Sequence, residues 1–515
     1  MNDAEAITAE EMAALDENCG YFGLIPLQLM ENAGAQLAAE IRKRFPNGRN
    51  SVGETVKVTM LAGKGNNGGD AFVAARQLHG FAVTVLLLGR AQDLRTAEAR
   101  HNWHILLQES GVKTVEITDS AQLKAAAADV LDSAVLVDGI FGTGITGAIR
   151  EPEATAIELI NNARPRAFVV AVDVPSGLDP TTGEAGSAVT ADLTVTFHRA
   201  KTGLLETRAA PFVGELVVAD ISIPENFERL AGPGDVRSLL KRSPHSHKGD
   251  NGRVLIVGGG PFSGAPSLAA LAALRAGADW VTVAAPRSVS GIIASFSPNL
   301  IVHPLSAAVL VEEDVLPIVH LVKNHDIVAI GMGLGAAEET QTAVQRIIED
   351  ETTKKLVVDA DGFYGLELPN TAADKRIIVT PHAGEFAKLG TQAEGRDLVV
   401  PPEDEQAARI DFVTAFSRQN NVVTLMKGPT DIVSDGARVR LNRTGNAGMT
   451  VGGTGDVLAG LAAAFFALTH DPFTAATAAA FVNGTAGDIA FEAKGYGLLA
   501  TDVLEAITRV TKQFS

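Results

Sequence analysis

Residues 56–71 read VKVTMLAGKGNNGGDA, and this stretch decides the fold of the first half of the chain. An apolar, β-rich run passes directly into a glycine loop that restarts as a helix, so backbone N–H groups and a helix N-terminus face the same point. The loop contains Gly63, Gly65 and Gly68 at the spacing G-x-G-x-x-G. The next strand ends at Gly89 rather than at the acidic residue that holds a ribose in dinucleotide dehydrogenases. We therefore predict a phosphate-binding site unlike that of an ordinary dehydrogenase; the alternative is a tight strand-to-helix turn without a ligand.

Length and composition limit the classes of protein that fit. The chain has 515 residues, which suggests two to four domains, and its 43 basic and 61 acidic residues give a net charge of −18. This charge predicts no nucleic-acid partner and no membrane partner. A single cysteine, Cys19, excludes an intrachain disulfide and fits a reducing cytoplasm. The acidic start lacks a signal-peptide pattern and the longest apolar run, 458–468, is too short to span a bilayer, so we predict a soluble cytoplasmic protein.

Apolar, β-rich runs alternate with helical patterns through both halves of the chain, which predicts parallel sheets covered by helices. The clearest predicted strands are 56–61, 82–88, 134–138, 167–173 and 193–197 in the first half, and 253–257, 280–284, 327–330, 356–359, 376–380 and 421–426 in the second. Between about residues 224 and 244 the pattern lapses, and Pro, Gly and charged residues accumulate. We predict an α/β protein with a Rossmann-like three-layer α/β/α sandwich over 1–228, a linker over 229–240 and a second α/β/α domain over 241–515.

Two further strands of the first half end in a carboxylate. Asp138 precedes a glycine-rich segment, and Asp173 is followed closely by Ser176. Ligands of open α/β sheets bind beyond the carboxyl ends of the strands, so Asn67 and Ser176 are expected to converge there with both aspartates. One carboxylate with neutral oxygens suits a hard, monovalent cation, and a second carboxylate can move protons. The alternative is that both aspartates only cap helices.

The most informative segment of the second half is residues 446–456, NAGMTVGGTGD, which precede an apolar helix. Glycines let backbone N–H groups close on a transferring phosphoryl group, and Asp456 stands where a hydroxyl nucleophile would lose its proton. This G-x-G-D segment resembles the anion hole and base of ribokinase-like kinases. Further support comes from the glycines of 331–335, from residues 427–431 after a strand, and from Glu385, which could reach a Mg²⁺ ion.

The asparagine–glycine loop, the Asp173 segment and a ribokinase-like half with His382 and Asp456 together resemble the family of bifunctional NAD(P)H-hydrate repair enzymes. The resemblance covers about residues 5–225 and 240–512. That family acts on NADHX and NADPHX, in which water has added across the nicotinamide ring. The resemblance implies that the first half epimerises the R and S forms with K⁺. It also implies that the second half dehydrates the S form to NAD(P)H with Mg²⁺ and ADP, releasing AMP and phosphate, and we expect a homo-oligomer.

The resemblance also implies residue roles. In the epimerase half, the implied substrate-binding residues are Asn66, Asn67, Gly68, Gly69, Asp70, Gly142, Thr143, Gly144, Ile145, Thr146, Gly147, Ala148 and the catalytic Asp173. The implied K⁺ ligands are Asn67, Asp138 and Ser176. In the dehydratase half, the implied substrate-binding residues are Ala265, Gly333, Gly335, His382 and the catalytic base Asp456. The implied nucleotide-binding residues are Lys427, Gly428, Pro429, Thr430, Asp431 and Gly455, and Glu385 is the Mg²⁺ candidate.

One departure and two alternatives stay open. Residues 427–431 read KGPTD where the family often has Lys-Gly-Ala-Gly-Thr, so the nucleotide contacts there are not settled, nor is the choice of ADP over ATP. The second half also fits an ATP-dependent kinase of a small alcohol, since the anion hole and base would be unchanged. The first half also fits a non-catalytic binding or scaffold module, which Asp138, Asp173 and the acidic charge disfavour.

Overall fold

The computed structural model describes residues 6–144, 147–237, 239–240, 242–368, 374–386, 389 and 398–514. The chain divides into two compact units, Met1–Phe227 and Glu228–Ser515. Each unit has its own sheet and hydrophobic core. In the part of the chain that the structure describes, no helix combines the length and the apolar character needed to cross a membrane.

The first unit is built on a seven-stranded sheet in which all neighbouring strands are parallel. Its strands are β2 (Lys57–Ala62), β3 (Ala82–Leu88), β4 (Val112–Ile117), β5 (Val135–Gly139), β6 (Phe168–Val172), β7 (Leu193–Phe197) and β9 (Glu215–Ala219), while β1 (Ala6–Ile7) and β8 (Ala200–Lys201) form a separate parallel pair. The order across the large sheet is β4-β3-β2-β5-β6-β7-β9. The chain changes direction across the sheet between β2 and β5, which is where open α/β sheets bind ligands.

Helices cover both faces of this sheet because its strands carry apolar side chains on both sides. Val58 and Met60 of β2 pack in one core with Phe72, whereas Leu61 packs on the opposite face with Ile157. The helices are α1 (Ala9–Tyr21), α2 (Pro26–Arg44), α3 (Asn66–Gln77), α4 (Ala97–Leu106), α5 (Ser120–Ala125), α6 (Ala127–Leu131), α7 (Glu153–Ala163), α8 (Thr202–Leu205) and α9 (Ala210–Val213), with short 3₁₀ turns at Pro46–Gly48, Ala91–Asp93, Thr207–Ala209 and Glu225–Arg229. The predicted three-layer sandwich is confirmed.

The second unit contains a nine-stranded sheet of mixed direction. Its strands are β10 (Arg253–Val257), β11 (Trp280–Ala285), β12 (Leu300–Pro304), β13 (Ile327–Ile330), β14 (Lys355–Val358), β15 (Arg376–Val379), β16 (Val423–Met426), β17 (Asp431–Ser434) and β18 (Val439–Asn442). They lie in the order β12-β11-β10-β13-β14-β15-β16-β17-β18. The pairs up to β16 are parallel, and β17 and β18 add an antiparallel edge.

A large core joins this sheet to closely packed helices between residues 234 and 296 and between residues 454 and 511. The helices of the unit are α10 (Gly234–Arg237), α11 (Gly264–Ala276), α12 (Arg287–Phe296), α13 (Val315–Val322), α14 (Glu338–Glu349), α15 (Gln406–Asn420), α16 (Thr454–Leu468), α17 (Pro472–Lys494) and α18 (Ala500–Thr511), with 3₁₀ turns at Glu312–Asp314, Ala360–Gly365, Ala447–Met449 and Gly495–Gly497. A Cβ at Gly460 of α16 would lie 2.1 Å from the carbonyl O of Ala269 in α11, so this helix pair requires glycine there.

The structure differs from the sequence patterns mainly at the edges of the sheets. The patterns do not predict β4, β9, β12, β17 or β18, which lie at or next to a sheet edge. Part of the segment predicted as a linker, 229–240, is packed onto the second unit. The N–H of Ala231 donates to the carbonyl O of Leu441, and α10 packs against α17.

Candidate active sites

The loop after β2 is shaped by glycines against which other backbone segments pack. A Cβ at Gly63 would lie 2.0 Å from the carbonyl O of Ile140, and a Cβ at Gly68 would lie 2.1 Å from the carbonyl O of Gly63. Side chains are therefore excluded at both positions. Because α3 begins at Asn66, the loop ends at a helix N-terminus, as the sequence predicts.

A cleft of about 480 Å³ opens beside this loop. Among the residues expected to bind substrate, it is lined by Asn66, Asn67, Asp70, Gly142, Thr143, Gly144 and Asp173. Gly69 faces Met30 instead. Gly147 and Ala148 line a separate cavity of about 550 Å³, and Ile145 and Thr146 lie outside the described residues.

The three expected K⁺ ligands meet around the backbone of Phe141. Asn67 Nδ2 donates to the carbonyl O of Phe141 at 2.9 Å, and the N–H of Phe141 donates to Ser176 Oγ at 2.9 Å. Asp138 is fully buried and accepts hydrogen bonds from Ser176 Oγ at 2.6 Å and Ser176 N at 2.7 Å. Burial raises the pKa of Asp138 to about 6, although the Ser176 hydrogen bonds oppose this effect. An all-oxygen group with one carboxylate suits a hard cation.

Asp173 is held by an ion pair that the sequence patterns do not reveal. It follows β6 directly in a left-handed conformation, with φ of 63°. Its Oδ1 accepts hydrogen bonds from Lys201 Nζ at 2.5 Å and from Thr196 Oγ1 at 3.0 Å. Lys201 is 1 % exposed, whereas lysine ordinarily lies at the surface unless it is paired.

Two further carboxyl groups line the same cleft as this ion pair. They belong to Asp16 of α1 and Asp70 of α3. The walls of the cleft around Asp16 raise its pKa; the charge of Lys201 lowers it and that of Asp173 raises it. Burial also raises the pKa of Asp70 well above its ordinary value, and the charge of Asp173 acts in the same direction. A neutral carboxyl beside an ion-paired carboxylate is the arrangement in which two acids take opposite roles in proton transfer.

In the second unit, Asp456 lies in the first turn of α16, which follows a left-handed Gly453 with φ of 103°. Burial raises the pKa of Asp456 to about 7. The carboxylate of Asp359 acts in the same direction, and the ammonium of Lys427 opposes it. A group that titrates near neutrality in a partly buried position is suited to act as a general base.

Lys427 brings several of the expected dehydratase residues together. Its Nζ lies 3.0 Å from Asp359 Oδ1 and 3.4 Å from Glu385 Oε2. A Cβ at Gly455 would lie 3.5 Å from the same Nζ, so the ammonium lies over the start of α16. The N–H of His382 donates to Glu385 Oε2 at 2.9 Å, and His382 pairs with Lys427 in an isolated parallel bridge.

The expected substrate-binding residues of the earlier loops are also neighbours. A Cβ at Gly333 would lie 3.3 Å from Cβ of Ala265. Gly333 and Gly335 have φ values of 71° and 81°, which favour glycine. The N–H of Gly335 donates to Asp361 Oδ2 at 2.9 Å, and Asp361 is one of the carboxylates that raise the pKa of Asp456.

The KGPTD segment forms the turn between β16 and β17. Asp431 accepts hydrogen bonds from Gly428 N at 3.1 Å and from Asn442 Nδ2 at 3.0 Å. Burial raises the pKa of this aspartate to about 6. The side chain of Asp431 therefore stabilises the turn, and Gly428 and Pro429 are exposed.

Comparisons with known proteins match both halves. Residues 26–203 match the family model "YjeF-related protein N-terminus", and residues 254–509 match the model "NAD(P)H-hydrate dehydratase". Bifunctional NAD(P)H-hydrate repair enzymes align with nearly the whole chain. The Archaeoglobus fulgidus enzyme is 44 % identical over 505 residues, covering 98 % of both chains, and the Pyrobaculum aerophilum enzyme is 43 % identical, covering 99 % of both. The chain belongs to the family of bifunctional NAD(P)H-hydrate repair enzymes.

Each of the two segments matched by a family model lies within one of the two compact units. Among solved structures, the chain resembles the ADP/ATP-dependent NAD(P)H-hydrate dehydratase of Bacillus subtilis, co-crystallised with ATP and Mg²⁺. The identity is 26 % and the TM-score 0.45, with 54 % of this chain and 96 % of that chain covered.

Sequence reasoning missed four charged residues that lie at these candidate sites: Asp16, Lys201, Asp359 and Asp361. Asp16 and Lys201 join the first cleft from α1 and from the short strand β8. Asp359 ends a predicted strand, and this position at the carboxyl end of a parallel strand is the one signal that could have indicated it.

Proposed function

We propose that the first unit interconverts the R and S epimers of hydrated NADH and NADPH, and that the second unit dehydrates the S epimer with ADP. The products of the second reaction are NAD(P)H, AMP and phosphate. Membership of the repair-enzyme family carries the proposal. It is supported by one carboxylate-lined site in each unit, around Asp173 and around Asp456.

In the epimerase unit, Asp173 is the proposed proton acceptor. The hydrated ring has a hydroxyl on the carbon next to the ring nitrogen. When a base takes the hydroxyl proton, the carbon–nitrogen bond breaks, a carbon–oxygen double bond forms and the nitrogen gains a proton. Burial raises the pKa of Asp70 well above its ordinary value, so Asp70 is the proposed donor of the proton that the nitrogen gains. Ring closure from the other face reverses both transfers and yields the other epimer.

Asn67, Asp138 and Ser176 are the proposed ligands of K⁺. Their fit rests on the buried carboxylate of Asp138 and on the shared contacts with Phe141. A bound K⁺ would neutralise this carboxylate and hold together the loops that follow β2, β5 and β6. We assign the ion a structural part beside the cleft and no part in proton transfer.

In the dehydratase unit, Asp456 is the proposed base that accepts the substrate hydroxyl proton. The oxygen attacks the terminal phosphorus of ADP, the bond to the bridging oxygen breaks and AMP leaves. A phosphorylated oxygen is a far better leaving group than hydroxide, so electrons of the ring nitrogen expel phosphate. Loss of a proton from the neighbouring carbon then restores the dihydropyridine. The N–H groups at the start of α16 are suited to hold the transferring phosphoryl group.

Mg²⁺ and the nucleotide are proposed to lie beside Lys427 and Glu385. Within the described ranges, no three His, Cys, Asp or Glu side chains form a metal-binding group. Proteins usually bind Mg²⁺ through one or two carboxylates together with substrate phosphates and water. The Glu385 carboxylate therefore fits as a single protein ligand. Mg²⁺ would supply charge neutralisation to the phosphates.

The phosphoryl donor is tested by supplying the S epimer of NADHX with Mg²⁺ and either ADP or ATP. We expect NADH absorbance to recover with ADP, and AMP and phosphate to form in amounts equal to the NADH. Recovery with ATP alone, with ADP as product, would reverse the choice of donor. Phosphorylation of a small alcohol without any NADH recovery would support the kinase alternative and overturn the proposed dehydration.

A further inference from the structure

Lys201 makes three hydrogen bonds inside the first unit. Its Nζ donates to Asp173 Oδ1 at 2.5 Å, to the carbonyl O of Phe197 at 3.0 Å and to Thr196 Oγ1 at 3.1 Å. An ammonium group has three N–H donors, so each donor has one acceptor. With a side chain that is 1 % exposed, Lys201 has no donor left for a ligand.

The backbone holds both partners of this ion pair firmly. Lys201 lies in β8, where it pairs with Ile7 of β1. Asp173 adopts φ of 63° directly after β6, and His198 adopts φ of 64° in the turn that leads from β7 to β8. Non-glycine residues in this left-handed region are held there by their surroundings and are frequent at functional sites. The Lys201–Asp173 pair is thus fixed by elements on both sides.

The two oxygens of Asp173 are in different environments. Oδ1 accepts from Lys201 Nζ, from Thr196 Oγ1 at 3.0 Å and from Phe197 N at 3.4 Å. Oδ2 accepts no hydrogen bond from the residues that the structure describes, and Asp173 lines the cleft. The carboxylate is therefore bound on one oxygen and available on the other.

We propose that Lys201 is a positioning residue for epimerisation, whose ammonium occupies Oδ1 of Asp173 so that Oδ2 takes the substrate hydroxyl proton and returns it. The inference rests on the proposed epimerase function of this cleft. An adjoining cation favours the ionised form of a carboxylate, which is the form a base needs. The titratable groups that oppose this preference are Asp16 and Asp70, which face the pair from α1 and α3. The cleft is also lined by four other charged residues, Glu17, Lys64, Arg95 and Glu153.

The test compares the full chain with Lys201→Met, which keeps the length of the side chain and removes its charge. Initial rates of epimerisation are measured from pure R epimer over about pH 5 to 9, after subtraction of the uncatalysed rate. We expect kcat to fall about 10²-fold near neutral pH and the acid limb of the pH profile to move upward by about one pH unit or more. Raising the pH should then restore part of the rate.

Thr196→Val is the matched control: it removes a neutral donor to Oδ1 of Asp173 together with one acceptor of Lys201 Nζ, and it leaves the cation next to Oδ1. We expect a loss of less than about tenfold and an acid limb that stays in place. In all variants, dehydration of the S epimer serves as the readout that the second unit is intact. A Lys201→Met protein that keeps the wild-type rate, or loses rate with an unmoved acid limb, would overturn the inference.

If Lys201→Met does not fold, Lys201→Arg decides the question, because it retains a cation next to Oδ1. We expect it to keep its acid limb in place and kcat within about tenfold of the original. A folded Lys201→Arg protein with no epimerisation would overturn the inference. If the unmodified chain itself fails to epimerise, the proposed function of the cleft fails instead.

Discussion

Lys427 and Asp359 form an ion pair beside the proposed base of the second unit, with Nζ 3.0 Å from Oδ1. Asp359 directly follows β14 and also accepts a hydrogen bond from Thr380 Oγ1 at 2.7 Å. After burial, the charge of Asp359 is the largest influence that raises the pKa of Asp456. The ion pair therefore helps to set the pH at which Asp456 can accept a proton.

Asp359→Asn should make dehydration less sensitive to acid. Asp456 has a pKa raised to about 7, and a base works only when ionised, so the acid limb of kcat/KM should lie near neutral pH. Removing the negative charge of Asp359 lowers the pKa of Asp456. The ammonium of Lys427, which no longer has Asp359 as an ion-pair partner, also lowers the pKa of Asp456. We expect the limb to move to lower pH. Thr380→Val, which removes no charge, should leave the limb in place, and an upward shift in Asp359→Asn would contradict this electrostatic link.

Asp456→Asn should separate chemistry from nucleotide binding. The substitution removes the proton acceptor and leaves the N–H groups at the start of α16 unchanged. We expect the dehydration rate to fall by about 10²-fold or more, with ADP affinity within about an order of magnitude and epimerisation unchanged. Calorimetry with ADP and NADH absorbance on one preparation give both values. Turnover near that of the original chain would remove Asp456 from the mechanism.

K⁺ should stabilise the first unit only where Asp138 is ionised. In the absence of the ion, the pKa of Asp138 is about 6 in the folded protein against 3.8 ordinarily. The folded state therefore binds the proton more tightly, and the unfolding free energy falls as pH rises from about 4 to about 6. K⁺ competes with that proton, so its stabilisation should appear as pH rises through about 6, and reach about 1.4 kcal/mol at ten times Kd.

The measurement is the unfolding midpoint of the full chain in potassium chloride against choline chloride at equal ionic strength. Asp138→Asn is the matched variant, because it retains the shape of the side chain and loses the charge. We expect the variant to lose the K⁺ effect at every pH. Equal stabilisation of both proteins would show that K⁺ acts elsewhere.

Each unit should fold and act when expressed alone, because each has its own sheet and core. Residues 1–228 should epimerise NADHX in the presence of K⁺ and without nucleotide. In this fragment, Asp173→Asn should slow epimerisation by about 10²- to 10⁴-fold. A fragment that folds and shows no epimerisation would mean that the first site depends on the rest of the chain.

The central strands could be predicted from the sequence, since strands buried on both faces are continuously apolar. Predicted strands 82–88 and 193–197 agree with β3 and β7 at both ends. The edge strand β4 was missed because it has Lys113 and Glu116 among its apolar residues, as a half-exposed strand does. The antiparallel hairpin of β17 and β18 was missed because its strands are short and partly exposed.

Short motifs were enough to predict which residues at the ends of strands lie together in the candidate sites. Asp138 lies at the carboxyl end of β5, and Asn67 and Ser176 follow the neighbouring strands β2 and β6, so the rule that parallel strands end at one edge brings the three residues together. Lys201 could not be found in this way, because it reaches Asp173 through a turn and through the pairing of β8 with β1. Contacts of that kind depend on tertiary packing, which no local pattern records.

Conversion of pure R-NADHX by the full chain, with ADP, Mg²⁺ and K⁺, tests most directly whether one chain carries both reactions. We expect NADH absorbance to recover fully, and much faster than the uncatalysed interconversion of the epimers allows. Asp173→Asn should slow the recovery to the uncatalysed rate, and Asp456→Asn should produce a mixture of epimers with little NADH. Recovery from the S epimer alone, with R-NADHX consumed no faster than without protein, would contradict the bifunctional assignment.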